Sequence, residues 1–300
     1  MSVMQTNNLS LPPIMSKKMI TEVKTSSTVA ALSAKEPKLF GADEQMIKFT
    51  SKPRAQFVEE GQEKSSSNPE LTTVQSATHV AQVTMRTSNQ IKWADKDYQL
   101  GVFTELTALG GEAVSRALDL GLYHRLGPST GEIIDGWTNY LTATTNRVPI
   151  PATDPRHDEL IEAAVGILIG TGVQANAVAF TPDFAFALST MRDRNGRKLY
   201  PDLGYGLNLT SFEGLKSSSS TTVSGLPEAA SDTGVRAIVG DFANGIYWGI
   251  ARDLPIEMIE YGDPDGQGDL KGRNEIAIRM EVAYCWYVDT ARFAVIEIGD

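Results

Sequence analysis

Ile276, Ile278, Met280, Val282, Tyr284, Trp286 and Val288 occupy every second position of one stretch. Successive side chains point to opposite faces of a strand, so this strict alternation predicts one long, half-buried β-strand. Leu254–Tyr261 is the predicted partner, and Gly262–Gly272 is the connecting tip. The chain is thereby committed to a sheet-containing fold with a long projecting hairpin.

A second long hairpin is predicted over 41–90. Met46, Ile47 and Phe49 lead into Arg54-Ala-Gln-Phe-Val-Glu-Glu-Gly61, a polar tip follows through Pro69, and Leu71–Arg86 returns with alternating Val74, Val80, Val83 and Met85. The tip contains no core residues, so a partner subunit is the simple way to hold it. Residues 1–40 show no sustained period and carry Pro12, Pro13 and Pro37; they read as an arm that orders only on a neighbour.

Helices are predicted between these projections. Leu100, Phe103, Leu106, Leu109, Ala113, Ala117 and Leu120 recur at helical spacing over 95–126. Asp95 and Asp97 suit its start, His124 and Arg125 its end, and Gly127-Pro128 stops it. Gly110-Gly111 interrupts the middle, each costing about 1 kcal/mol relative to alanine, and marks a place to bend. A second helix is predicted over 155–170, then a strand Ala177–Phe180. A third helix is capped by Thr181 with Pro182 in its first turn. Residues 193–198 read as a turn and 215–234 as a Ser/Thr/Gly loop. Strands are predicted at Val235–Val239 and Gly245–Ala251. The order is mixed α+β.

Chemistry is sparse. No phosphate loop, full dinucleotide fingerprint or nucleophile elbow occurs, and His79, His124 and His157 are isolated in sequence. Surface or helix-end placement is the expectation for the histidines, and a structural thiol for Cys285, the single cysteine. Asp263-Pro-Asp265-Gly-Gln-Gly-Asp269 begins like a calcium loop, but proline stands second and Asn274 replaces the closing glutamate. No catalytic, cofactor-binding or metal residue is assigned. The longest apolar run, Ala163–Ile169, is too short to span a membrane, and no signal peptide is evident, so a cytoplasmic protein is expected. Net charge is -10; residues 1–100 hold twelve Lys/Arg and ten Asp/Glu, the remainder fifteen and twenty-seven. Such an acidic chain is poorly suited to tight, general nucleic-acid binding.

Several local patterns, in this order, resemble the major capsid proteins of tailed bacteriophages (the Hong Kong-97-type capsid fold). Pro53-Arg-Ala-Gln-Phe-Val-Glu-Glu-Gly61 with Lys64 and Ser65 is similar to the extended E-loop of that family, and Thr78–Asn89 to its return strand. Asn176–Phe180 with Thr181-Pro182, followed by Met191–Arg197, resembles the axial strand and helix. Val239-Gly-Asp-Phe242 with Tyr247-Trp-Gly249, and the closing Arg292–Ile296, are similar to later strands. The resemblance covers about residues 40–300.

It implies an α+β fold with an N-terminal arm (1–40), an E-loop hairpin (41–90), a peripheral domain with spine helix and P-loop hairpin (91–135 and 252–290), and an axial domain (136–251 and 291–300). It implies a non-enzymatic head protein forming hexamers and pentamers of an icosahedral or prolate shell around double-stranded DNA. Phe57, Glu59, Glu60, Lys64 and Asn68 become E-loop contacts, Lys17, Lys18 and Lys24 arm contacts, Asp263, Asp265, Asp269 and Arg273 P-loop contacts, and Gly110 and Gly111 a hinge. Other copies, a portal, a separate scaffolding protein, a decoration protein and weakly contacted DNA are the implied partners; no cofactor and no membrane is implied. Assembly is expected in the host cytoplasm, with the product in the virion. An encapsulin-type nanocompartment shares the fold and is the alternative; a soluble α+β enzyme is a further one.

Overall fold

The computed structural model describes residues 27–33, 45–49, 55–59, 63–64, 71–75, 77–93, 96–153, 155–201, 203, 210–253 and 256–299. Helices are α1 (Thr28–Leu32), α2 (Lys96–His124), α3 (His157–Gly170), α4 (Pro182–Thr190), α5 (Phe242–Gly245) and α6 (Leu270–Arg273). Strands are β1 (Gln45–Phe49), β2 (Leu71–Gln75), β3 (Ala77–Ser88), β4 (Arg147–Ile150), β5 (Ala177–Phe180), β6 (Ser211–Phe212), β7 (Leu215–Ser219), β8 (Val235–Gly240), β9 (Ile246–Asp253), β10 (Glu257–Ile259), β11 (Glu275–Val288) and β12 (Phe293–Ile298).

The alternating stretch forms β11, fourteen residues long. Its main partner is not the predicted one. Among the described residues of that segment only Glu257–Ile259 pairs with it, whereas β3 runs antiparallel along it from Glu275↔Ser88 to Trp286↔Ala77. Beyond β10 the same edge is taken by β9, through a register shift at Ala283/Tyr284. The return strand of the first hairpin is therefore built into this sheet. Burial is also deeper than alternation implies: Ala277, Ala283 and Cys285 are buried on the second face.

The other sheet has six strands in the order β4-β12-β8-β5-β7-β6, with β4/β12 and β5/β7 parallel and the rest antiparallel. The region read as a Ser/Thr/Gly loop contributes β7 to it, because Lys216–Ser219 pairs with Ala177–Phe180. Both faces are covered. Val178, Phe180, Ala237, Val239, Ala294 and Ile296 join Leu160, Ala164, Leu168 and Leu188 of α3 and α4 in one core. Ala177, Ala179, Ile238, Phe293 and Val295 join the core of α2 and β11. Double coverage explains why β5 is a continuous apolar run and not an alternating one. Thr181 caps α4 as predicted, its hydroxyl accepting from the Phe184 N–H.

Helix α2 runs unbroken through Gly110-Gly111, so the expected interruption is not a break in the helix here. Gly110 faces β11 and β3: a Cβ there would lie 2.4 Å from Met280 Sδ and 3.1 Å from Met85 Cε. Absence of a side chain lets helix and sheet approach closely. The buried stripe is Phe103, Thr107, Gly110, Val114 and Leu118, whereas Leu100 and Leu109 of the predicted stripe are 54% and 51% exposed. The sheet selects a stripe rotated from the one the leucines suggested. The helix ends at Arg125, which takes a left-handed φ of 52°. His124 is not a cation for the helix end: it is buried, its Nε2 lies 2.8 Å from the Val223 carbonyl, and burial lowers its pKa to about 4.

Gly240 and Asp241, singled out in the sequence, have a packing reason. A Cβ on Gly240 would come within 2.3 Å of the Phe293 ring and 2.7 Å of the Arg292 carbonyl. The Asp241 carboxylate caps α5 through the Asn244 N–H (3.1 Å) and accepts from Asn176 Nδ2 (2.7 Å) and Arg292 Nη1 (2.9 Å). This joint ties the start of β5, the end of β8 and the start of β12.

Candidate assembly surfaces

The first hairpin starts as β1 paired with β2, from Gln45↔Gln75 to Phe49↔Leu71. The two strands form a separate sheet, bonded to no other strand among the described residues. Beyond them Phe57 is completely exposed and Val58 is 38% exposed. Glu59 and Lys64 are exposed as well. An aromatic side chain left wholly in water forgoes about 1.5–3 kcal/mol of burial, which contact with another surface supplies. Glu60 and Asn68 lie outside the described residues, as do Lys17, Lys18 and Lys24 of the arm.

The arm is not without anchorage on its own subunit. Ser27, Thr28, Val29, Leu32 and Ser33 are buried. The carboxylate of Asp119, on α2, collects them: it accepts from Ser27 Oγ (2.5 Å), Thr28 N (2.9 Å), Thr28 Oγ1 (2.8 Å) and Val29 N (3.3 Å), and from Thr222 Oγ1 (3.0 Å). Trp248 Nε1 donates to Ser33 Oγ at 2.9 Å. Burial raises the Asp119 pKa, an effect the hydrogen bonds from Ser27, Thr28 and Val29 oppose. Residues 1–40 are thus not uniformly an arm that orders on a neighbour. Sequence reasoning missed Asp119; the signal was a lone acid between Leu118 and Leu120 in an apolar run.

The second hairpin tip is braced from within. Asp263 and Asp265 are engaged by Arg86 of β3: Nη2 meets Asp263 Oδ1 at 3.0 Å, and Nε meets Asp265 at 2.8 and 2.9 Å. The same guanidinium reaches Glu275 Oε2 (3.1 Å) and the Gly268 carbonyl (2.9 Å). The Arg86 hydrogen bond is the main cause of an Asp265 pKa lowered to about 2. Asp269 caps α6 through the Gly272 N–H at 2.7 Å. A guanidinium therefore fills the place a cation would take among these acids. Arg273 is exposed. Among the described residues no His, Cys, Asp or Glu side chains group as metal ligands, and no helix is long and apolar enough to cross a membrane.

His79 and Cys285 pack within the fold. His79 lies between Trp137 and Trp286, with ring centroids 3.9 and 4.3 Å away, and burial lowers its pKa to about 4. Cys285 is buried beside Thr78 Oγ1 at 3.2 Å. A concavity of about 570 Å³ is lined by Asn176, Asp241, Asn244 and Arg292, whose polar groups bond to one another in the joint described above.

The mixed α+β fold, with β1 and β2 in a sheet of their own and Phe57 wholly exposed, defines the class of protein to compare it with. The model of the phage capsid family matches residues 8–284. A structure from Mycobacterium phage Ogopogo is similar at 40% identity and a TM-score of 0.80, over 91% of this chain and 92% of its own. One from Gordonia phage Cozz is 30% identical, with a TM-score of 0.77, over 92% and 87%. The capsid of an empty GTA particle, 14% identical over 92% and 91%, shares the fold at a TM-score of 0.61. No curated protein matches. The chain belongs to the phage capsid family. It acts as a major capsid protein, whose copies self-assemble into the shell of a virion.

Proposed function

We propose that this chain tiles a closed icosahedral or prolate shell as hexamers and pentamers, and that the shell encloses double-stranded DNA. The hairpin over 41–90 lies across a neighbouring subunit, with Phe57 and Val58 as its apolar contacts and Glu59 and Lys64 as polar ones. The observation that carries this reading is the separate β1/β2 sheet leading to a wholly exposed Phe57. Many such contacts, each modest, stabilise a closed symmetric shell collectively. DNA is contacted weakly and without sequence readout, in keeping with the -10 charge. The protein is non-enzymatic, and assembly takes place in the host cytoplasm with a portal and a separate scaffolding protein.

Replacing Phe57 by Ser tests the reading. Subunits keep their melting temperature but yield few particles under the electron microscope. Wild-type particle yield from Phe57→Ser would contradict it. Particles that hold a cargo enzyme and no DNA would favour a nanocompartment instead.

A further inference from the structure

The turn after α4 is a tight hairpin. Arg192 and Lys198 face each other in an isolated bridge, and the Leu199 N–H donates to the Met191 carbonyl at 3.0 Å. The Asp193 carboxylate closes the tip by accepting from the Asn195 and Arg197 N–H groups, each at 2.8 Å. The one acid of the hairpin is thus occupied by its own backbone. Four of the fifteen bases in residues 101–300 fall within the seven positions 192–198: Arg192, Arg194, Arg197 and Lys198. The three arginines are exposed, and among the described residues no salt bridge holds Arg194 or Arg197. An acidic group lies beside the base of the hairpin. Burial, then the charges of Asp158, Glu213 and Glu162, raise the pKa of Tyr200, so three acids converge on that ring. Asp158 is paired with Arg156, whereas no salt bridge among the described residues holds Glu162 or Glu213. Along α3, Gly166 and Ile169 follow Glu162 on one side of the helix, four and seven positions on. Ile169 is 62% exposed, and a Cβ on Gly166 would meet nothing within 4 Å. Glycine inside a helix is destabilising, and no close neighbour among the described residues accounts for this one.

We infer that the basic hairpin of one copy seats on the exposed face of α3 in the next copy, with Arg194 and Arg197 against Glu162 and Glu213, and Leu199 against Ile169. This rests on the reading that copies close into hexamers and pentamers, and it names two surfaces that meet. Three observations select a second copy as the occupant. First, the closed turn holds Arg194 and Arg197 near one another, a like-charge arrangement that an anionic partner relieves. The same subunit presents Glu162 and Glu213 without a cation, so each copy supplies what the next one needs. Second, both surfaces carry an apolar residue beside the charge: Leu199 is 37% exposed and Ile169 62%. The tip at Gly196 stands about 10 Å beyond Leu199 at the rise of a strand, and Glu162 stands about 10.5 Å from Ile169 along the helix. Apolar and charged parts therefore match in spacing. Third, Gly166 lies between Glu162 and Ile169 and lets another backbone come close. Phosphates of a packaged duplex would engage the arginines but leave Glu162, Gly166 and Ile169 without a role. A contact between two different surfaces of one chain is heterologous and closes into a ring when the rotation per step divides the circle.

Charge reversal in the full chain tests it. Arg194→Glu/Arg197→Glu and, separately, Glu162→Arg/Glu213→Arg should each lower particle yield about tenfold under the electron microscope, and all four changes together should restore most of it. The four side chains are exposed, so unassembled subunits should keep their melting temperature. Where a reversed pair melts early, the neutral pairs Arg194→Gln/Arg197→Gln and Glu162→Gln/Glu213→Gln take its place, with a loss in the same direction expected. As a second measurement, Ile169→Cys/Leu199→Cys, with the buried Cys285 left in place, should oxidise to a ladder of linked chains reaching pentamers and hexamers. Wild-type yield from both reversed pairs would overturn the inference, as would an intrachain disulfide or free thiols in assembled particles. Normal numbers of particles that lack DNA, obtained from Arg194→Glu/Arg197→Glu, would assign the hairpin to phosphate and overturn it too. Wild-type chains that form no five- or six-membered rings would instead remove the reading beneath it, a result distinct from rings that tolerate both reversals.

Discussion

The backbone N–H of Thr28 donates to Asp119 Oδ2 at 2.9 Å, joining residues 91 positions apart in the interior of the subunit. The same carboxylate serves Ser27, Val29 and Thr222. One side chain therefore fixes where the N-terminal segment meets the spine helix, and everything upstream of Ser27 starts from there.

Asp119→Ala strands several buried donors at once, and each costs roughly 1–3 kcal/mol when left unsatisfied. A loss of about 3 kcal/mol or more is expected in unfolding of unassembled subunits, with Asp119→Asn intermediate because one acceptor survives. Burial holds the Asp119 pKa above 3.8. Its own contribution is therefore full below the unfolded value and declines as pH rises through the raised one. The Asn variant should lack that component. Equal melting temperatures for wild type and Asp119→Ala would remove the anchor from the account.

His124 has the opposite sign. Burial lowers its pKa from 6.5 to about 4, so the folded state holds it neutral. Stability from this group is complete above pH 6.5 and is lost as pH falls toward about 4, by roughly 3 kcal/mol. His124→Gln can still donate to the Val223 carbonyl but cannot titrate. Its melting temperature should change less with pH across that window than the wild type's; parallel curves would exclude His124 as the cause.

Arg86→Ala should release the Asp265 carboxyl from about 2 back toward its ordinary value, since the Arg86 hydrogen bond is the first cause of the lowering. The bracing present above pH 3.8 and lost as pH falls through about 2 disappears with the arginine. Carboxyl NMR titration reads the change directly, and trypsin should cut sooner at Lys271 and Arg273. Arg86→Lys, a point charge without the fork, should fall between. An Asp265 titration unaltered in Arg86→Ala would refute the clasp.

Gly110→Ala brings a methyl group against Met280 and Met85. The overpacking costs about 1–3 kcal/mol, against about 1 kcal/mol gained in helix propensity. A net loss of stability is expected, eased by Met280→Ala in the same chain. A more stable Gly110→Ala subunit would show that the close approach is not needed. Impaired shell expansion in a variant of normal stability would instead favour a hinge at Gly110-Gly111, the role proposed from the sequence.

Much of the fold is legible in residue patterns. The period of two at Ile276–Val288 marks β11, and Thr181-Pro182 marks the start of α4. The polar tip after Gly61 points toward contact with other copies. Pairing is less legible. Alternation says that β11 has one apolar face but not which strand lies beside it, and β3 comes from nearly 200 residues away. Ser217 and Ser218 carry no β signal, yet they pair with Val178 and Ala179 because β5 offers a free edge.

The amino-acid order alone determined local features: which stretches extend or coil, where helices begin, and which projection is too polar to pack on itself. These depend on neighbours a few residues apart. Only the tertiary structure decided that Asp119 anchors Ser27–Val29, that Arg86 engages Asp263 and Asp265, and that Gly110 permits close contact with Met280. Burial and hydrogen bonding act between groups brought together by the whole fold, and no local period encodes which distant group will arrive.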